Sequence, residues 1–89
     1  MKTKNVVDQI SKYSAALGHI VALSISLDKG QAVVTINRGH SPRGEGYEFC
    51  TLEWSEHSKG LYWGHYDQTR EAAAEDHRAR FNQILGVKA

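Results

Sequence analysis

Five histidines and one cysteine are the side chains of this 89-residue sequence with the greatest capacity to bind a metal ion or transfer a proton. They are His19, His40, Cys50, His57, His65 and His77. No two of them have the close spacing, such as CxxC or HxxxH, with which a single helix or turn holds zinc. We therefore expect no metal site and no cofactor.

Nucleophilic catalysis would require Cys50 or a serine beside a base and an oxyanion hole. Cys50 alternates with Leu52 and Trp54, so the pattern predicts a buried thiol, which behaves as a small apolar group. The sequence has no GxSxG motif and no glycine-rich phosphate loop that leads into a helix. We expect a protein that is not an enzyme, with a small metal-binding or hydrolytic protein as the second alternative.

His77 is the histidine with the most distinctive position. It lies between Ala73 and Phe81 on the apolar arc of the last predicted helix. A histidine on such an arc is usually neutral and satisfied by hydrogen bonds within the core. We expect it to bond to a strand carbonyl or to a tyrosine hydroxyl.

The bulk composition is typical of one folded domain, residues 1–89, with 40 % hydrophobic and 24 % charged residues. A formal net charge of +1 indicates no general affinity for phosphates. The single cysteine cannot form an internal disulfide, which favours a reducing cytoplasm. Asp8 and Gln9 interrupt any apolar signal-peptide region, and no segment has transmembrane length. We expect a cytoplasmic protein without a membrane partner.

Hydrophobic periodicity predicts an α+β domain in the order helix, four strands, helix. The predicted elements are a helix at 3–17, strands at 20–27, 32–36, 47–54 and within 60–69, and a last helix that begins after Asp67 or Thr69 and ends at Gly86. Short connections, including the hairpin turn Asp28-Lys29-Gly30, predict a four-stranded antiparallel meander. We expect the N-terminal and C-terminal helices to pack on one common face of this sheet.

Strands three and four carry large side chains on both faces. Alternation directs Cys50, Leu52, Trp54, Leu61 and Trp63 towards the helices. It leaves four aromatic residues on the open face, namely Tyr47, Phe49, Tyr62 and Tyr66. Such a patch has the composition of a protein interface. We predict that these four residues bind another protein, with a second copy of the chain among the candidates.

The segment 37–46, NRGHSPRGEG, predicts a surface loop in which Arg38, His40 and Arg43 could contact phosphates. The order of elements is similar to that of the double-stranded RNA-binding domain, and Gly39-His40 resembles a loop motif of that family. The resemblance implies RNA binding through this loop. That family opens its last helix with a lysine cluster, whereas this chain has TREAAAEDH there. Nucleic-acid binding is therefore the alternative function.

The last third of the chain resembles the end of many small orphan proteins encoded by phages and mobile elements. The likeness is carried by a glycine- and aromatic-rich strand, the pattern T-x-E-A-A-x-x-D and a helix that ends in RxRF. It implies a small inhibitor or adaptor, the anti-CRISPR type included, that acts by surface contact.

Overall fold

The computed structural model describes residues 3–40, 47–57 and 60–86. Within these ranges the elements are α1 (Thr3–Ser14), β1 (His19–Ser26), β2 (Gln31–His40), β3 (Tyr47–Ser55), β4 (Gly60–Gln68) and α2 (Arg70–Leu85). The four strands pair antiparallel in the order β1-β2-β3-β4. The predicted α+β class, the order of the elements and the meander are confirmed.

The predicted loop 37–46 is partly strand. Residues 37–40 continue β2, with Asn37 opposite Phe49, while residues 41–46, which include Arg43, lie outside the described residues. Helix α1 is also shorter than predicted, because its chain turns after Ser14, whose carbonyl oxygen accepts the N–H groups of Leu17 and Gly18. Gly18 has φ 151° and lies against β2, where an added Cβ would be 2.2 Å from the Asn37 carbonyl oxygen. Only glycine fits this turn.

Helix α2 has the caps that the sequence predicts. The Thr69 side chain accepts a hydrogen bond from the Ala72 N–H at 3.1 Å, which satisfies one of the free donors of the first turn. Gly86 ends the helix at φ 78°, and its N–H is directed to the carbonyls of Asn82 and Gln83. Gly86 thus adopts the left-handed conformation typical of a helix C-terminus.

Helix α1 closes one face of the sheet with apolar side chains. Its residues Val6 and Ile10 are fully buried against the sheet. They meet a set of inward side chains from the two central strands, namely Ala32, Val34, Ile36, Cys50, Leu52 and Trp54. Leu61 packs against the same cluster from β4. The predicted inward direction of Cys50, Leu52, Trp54 and Leu61 is confirmed, and we call this side of the sheet the α1 face.

Helix α2 lies on the opposite face, so the prediction that both helices share one face is wrong. Thr35 is between Val34 and Ile36 on a regular strand, yet its hydroxyl contacts His77 of α2. Thr51 and Glu53 alternate with the α1-face residues of β3 and also contact α2. The second face carries buried Val33 and Phe49 as well, and a sheet with buried side chains on both faces needs a layer on each. We call this side the α2 face.

Register shifts change which side chains of β4 share a face. Alternate residues of β3 lie opposite residues of β4 that are three positions apart. The opposed pairs are Glu53 with Tyr62, Thr51 with His65, and Phe49 with Gln68. Between successive pairs, β4 therefore contains one more residue than β3. Each extra residue is a bulge, and after a bulge the alternation changes phase. Strict alternation along β4 predicts that His65 and Tyr62 point to opposite faces, and the bulge makes that prediction wrong. Both lie on the α2 face, and the side chain of Trp63 is outside the described part of the structure.

Candidate functional site

The contact between α2 and the sheet combines buried apolar residues, such as Val33 and Ala73, with a layer of hydrogen-bonded polar side chains. In α2, the buried residues are Ala73 and Arg80. The helix meets hydroxyl and carboxylate groups on β1, β2 and β3. Since buried polar groups are costly unless they are paired, the partners of each group decide what this layer can do.

His77 occupies the centre of this layer. Its Nε2 is 2.8 Å from the Ser24 hydroxyl, and its Nδ1 is 2.8 Å from the Thr35 hydroxyl. Burial lowers the pKa of His77 below its usual 6.5, although nearby Asp76 raises it in part. In the neutral ring one nitrogen donates and the other accepts, which matches two hydroxyl partners. The prediction of a neutral core histidine is supported, but its partners are hydroxyls of β1 and β2 and not a carbonyl or a tyrosine.

A second group of contacts centres on Arg80. Arg80 Nη1 is 3.2 Å from a Glu53 carboxylate oxygen, and Arg80 Nε is 3.1 Å from an Asp76 oxygen. The other Asp76 oxygen is 2.9 Å from Nδ1 of His65 and 3.4 Å from the Gln68 side-chain nitrogen. The side chains of Arg80, Glu53 and Asp76 are 9 %, 14 % and 17 % exposed. This network joins α2 to β3 and β4.

The contact between His65 and Asp76 has the geometry with which a carboxylate orients a histidine for proton transfer. The His65 side chain is 62 % exposed. Among the described residues, none forms a hydrogen bond with its Nε2. The Thr51 hydroxyl, which is opposite His65 in the sheet, donates instead to the Gln68 side-chain oxygen at 3.0 Å. The pair therefore lacks an assembled nucleophile in the described part of the chain.

The four aromatic residues predicted to form an open patch have different surroundings. Phe49 is only 8 % exposed because it lies on the face that α2 covers. Tyr62 is half-buried opposite Glu53, Tyr66 is 45 % exposed, and the side chain of Tyr47 lies outside the described residues. The expectation of an open aromatic sheet face is therefore wrong, since it depended on both helices being on the other side. Whether these residues bind a protein stays a prediction.

Tyr66 instead joins a residue of the other predicted site. The Arg38 guanidinium carbon is 5.2 Å from the centre of the Tyr66 ring, within the range of a cation–π contact. Arg38 Nη1 is also 3.9 Å from a Glu48 carboxylate oxygen. Arg38 belongs to β2, Glu48 to β3 and Tyr66 to β4. We call these three residues the Arg38–Tyr66 patch.

Gly64 gives the Tyr66 ring its position. A Cβ at Gly64 would be 2.6 Å from Cε2 of Tyr66 and 2.9 Å from its hydroxyl oxygen. The Tyr66 ring therefore occupies the space that a side chain at position 64 would fill, and Arg38 also contacts the ring. Because these contacts restrict Tyr66, little side-chain entropy remains to be lost on binding.

The other residues predicted for phosphate binding add little to this site. The side chain of His40 and all of Arg43 lie outside the described residues. Arg38 is described, but its charge is near Glu48 and in contact with Tyr66. A phosphate would have to compete with both neighbours.

Cys50 is fully buried on the α1 face and forms no disulfide. Burial raises the pKa of its thiol, while Arg38 lowers it and Glu48 raises it to a smaller degree. A neutral buried thiol is a poor nucleophile. In the described ranges, no three histidine, cysteine or acidic side chains converge as a metal site.

No protein-family model, curated protein sequence or solved structure matches this chain. Neither of the helices that the structure describes is long and apolar enough to span a bilayer. A function for this chain is therefore inferred from its own sequence and side-chain geometry.

The sequence did not reveal the burial of Arg80 or the contact between Arg38 and Tyr66. The buried position of Arg80 could have been suspected from Asp76, because an acidic residue four positions before a basic one forms a helix ion pair. No pattern in the neighbouring sequence indicates the contact between Arg38 and Tyr66, because the contact reaches across β3 and depends on the bulges of β4.

Proposed function

We propose that this protein is a small, non-enzymatic protein-binding module of the inhibitor or adaptor type, and that the Arg38–Tyr66 patch is its interface. The observation that carries the proposal is the exposed Tyr66 ring, which is close to the Gly64 backbone and in contact with the Arg38 guanidinium. Tyrosine and arginine are among the residues most enriched in the energetic centres of protein interfaces. A restrained aromatic ring also loses little entropy on binding.

Charge favours a protein over a nucleic acid as the partner. Arg38 lies beside Glu48, and the whole chain has a net charge of only +1. A phosphate-binding surface normally concentrates unpaired basic residues. Single-stranded nucleic acids do stack on tyrosine and arginine, so the alternative makes a distinct prediction, namely affinity that falls steeply with salt.

The environments of the reactive groups support a non-enzymatic function. Both ring nitrogens of His77 are bonded to hydroxyls, and Cys50 is buried with a raised pKa. These groups stabilise the interior. A cytoplasmic location and an origin in a phage or mobile element belong to the proposal, and they are supported by the single unpaired cysteine and by the sequence resemblance of the last third.

Two tyrosines of equal exposure allow a controlled test. Tyr66 and Tyr13 are each 45 % exposed, and Tyr13 belongs to α1. The tagged protein would capture its partner from cells that express it, and the affinity of Tyr66→Ala would be compared with that of Tyr13→Ala. We expect Tyr66→Ala to weaken binding at least about tenfold, or 1.4 kcal/mol, with an unchanged melting temperature. Tyr13→Ala should bind as the wild type does.

Two outcomes would contradict the proposal. Equal loss of binding in both variants would show that the Arg38–Tyr66 patch is not the interface. Binding of single-stranded RNA or DNA with a steep salt dependence, lost in Arg38→Ala, would favour the nucleic-acid function.

A further inference from the structure

The two edge strands of the sheet differ in their readiness to accept another strand. The ladder between β3 and β4 has two register shifts, and β4 contains Gly60, Gly64 and the charged residue Asp67. Bulges and charges are the devices with which proteins protect an edge. β1 has one register shift near its start, between Ile20 and Ala22, and then pairs regularly from Ala22 to Ser26.

β1 also lacks the residues that discourage pairing. Its sequence HIVALSIS contains no lysine, arginine, aspartate, glutamate or proline. Since β1 pairs with β2 on one side only, the backbone N–H and C=O groups of its outer side have no partner strand within the described sheet. An uncharged edge that is regular over Ala22–Ser26 can accept an added strand.

The position of α2 leaves this edge accessible. The polar contacts of this helix reach Thr35, Thr51 and Glu53 of the central strands β2 and β3, and on β1 its His77 contacts the Ser24 side chain, not the outer backbone edge. Leu23 and Ile25 of β1 point to the α1 face, where they pack on the core but stay only half-buried. These apolar side chains at the rim would gain burial from a neighbouring strand.

We propose that β1 pairs antiparallel with β1 of a second copy, so that two four-stranded sheets join into one continuous sheet. A strand without charges meets no like-charge repulsion from its own copy, and antiparallel pairing of identical strands produces a closed two-fold dimer. Side chains that lie opposite each other must share a face. A two-fold axis at Ser24 meets this condition across the regular part of β1.

The register that results matches side chains of similar kind. With the axis at Ser24, Leu23 lies opposite Ile25 of the partner subunit on the α1 face. Ala22 lies opposite Ser26 of the partner subunit on the α2 face. An apolar pair therefore continues the apolar layer, and a pair of small residues continues the polar layer. This interface involves only β1, so it is independent of the Arg38–Tyr66 patch.

Sedimentation and hydrogen exchange test this dimer directly. We expect the purified chain to dimerise at micromolar concentration, with slower exchange of amides in the Ala22–Ser26 segment as concentration rises. Ala22 and Ala74 are both exposed, so Ala22→Lys places a charge on the edge and Ala74→Lys is the matched control on α2. We expect Ala22→Lys to weaken dimerisation at least about tenfold, while Ala74→Lys and Tyr66→Ala dimerise as the wild type does.

Other results would overturn the inference. A chain that stays monomeric at concentrations far above micromolar has no such interface. A dimer that protects amides of β4 uses the other edge. If Tyr66→Ala abolishes the dimer and Ala22→Lys does not, the dimer forms through the Arg38–Tyr66 patch. Self-association would then be a property of the proposed binding surface and not of β1.

Discussion

The two faces of the sheet are covered by helices that use opposite chemistry. On the α1 face, Val6 and Ile10 are buried among apolar side chains of the central strands. On the α2 face, His77 and Arg80 are held by hydroxyls and carboxylates. The hydrophobic effect does not depend on the relative orientation of the apolar groups, whereas a hydrogen bond requires a particular distance and angle. Apolar burial therefore predominates under α1, whereas under α2 buried apolar residues such as Val33 and Ala73 are combined with directional polar contacts.

The polar atoms of the two faces also differ in their partners. On the α2 face, the side chains of His77, Arg80 and Asp76 all have hydrogen-bond partners. On the α1 side, the buried atoms Ser14 Oγ and Trp54 Nε1 have no partner among the described residues. A buried polar atom without a partner is destabilising, and a paired one contributes modestly. The same residue type should therefore affect stability with opposite sign on the two faces.

The largest difference in stability is expected between variants of Ile36 and Thr35, which are neighbours on β2. Ile36 points to the α1 face and Thr35 to the α2 face. Ile36→Ala should lower the free energy of unfolding by about 2 to 5 kcal/mol, because it leaves a cavity in the apolar core. Thr35→Ala should cost about 1 kcal/mol, the usual value of one hydrogen bond. Urea denaturation measures both, and equal losses would contradict the difference between the faces.

Arg80 tests the strength of the polar layer. Its removal leaves the carboxylates of Glu53 and Asp76, each less than one-fifth exposed, without their cation. Arg80→Ala should lower the free energy of unfolding by about 2 to 3 kcal/mol, somewhat below the value for a fully buried pair. The exposed Arg78 of the same helix provides the control, and Arg78→Ala should change stability by less than about 0.5 kcal/mol. A small effect of Arg80→Ala would show that the network contributes little.

The pH dependence of stability reports on His77. Because burial lowers its pKa below 6.5, the unfolded chain takes up a proton first as pH falls. Neutral His77 makes its full contribution to the free energy of unfolding at pH values above the pKa of this residue in the unfolded chain. That contribution is lost as pH falls towards the lower pKa of His77 in the folded protein. We expect the urea midpoint to decrease between about pH 7.5 and pH 5.5 and to decrease less in His77→Gln. An identical slope in both proteins would contradict a neutral, half-buried His77.

Two serines give the smallest and most specific contrast. Ser14 on α1 has an unpaired buried hydroxyl, whereas the Ser24 hydroxyl is bonded to His77. Ser14→Ala should raise the melting temperature, and the gain in the free energy of unfolding should be about 1 kcal/mol. The reason is that the substitution removes the unpaired hydroxyl and improves helix propensity. Ser24→Ala should lower stability by about 1 kcal/mol. Melting temperatures that change in the same direction in both variants would contradict the difference between the two faces.

Much of the architecture could be predicted from local patterns. Alternation in β1 to β4, the turn at Asp28–Gly30 and the cap residues Thr69 and Gly86 act over short distances, so the sequence reveals them. The side of the sheet on which α2 lies could not be predicted in this way. It depends on hydrogen bonds between His77 and two hydroxyls 42 and 53 residues away in the chain.

The surface of the protein was harder to predict for a related reason. Each bulge in β4 changes which residues share a face, and apart from Gly64 no residue type marks it. A helical wheel puts Leu85 on the same apolar arc of α2 as Ala73 and Phe81, yet Leu85 is 46 % exposed, whereas Arg80 is buried. Helical wheels assume that apolar residues decide the buried side, whereas Arg80 is buried because Glu53 and Asp76 pair with its charge.

A double-mutant cycle between Thr35 and His77 tests most directly that α2 covers the face opposite α1. Thr35→Val, His77→Ala and the double variant would be unfolded in urea, with Ile36→Val combined with His77→Ala as the control on the other face. His77→Ala alone should lower stability by about 1 to 3 kcal/mol. We predict a coupling of about 0.5 to 1.5 kcal/mol for Thr35 and His77, and additivity within about 0.5 kcal/mol for Ile36 and His77. Coupling of His77 to Ile36 and not to Thr35 would place both helices on one face and contradict the account.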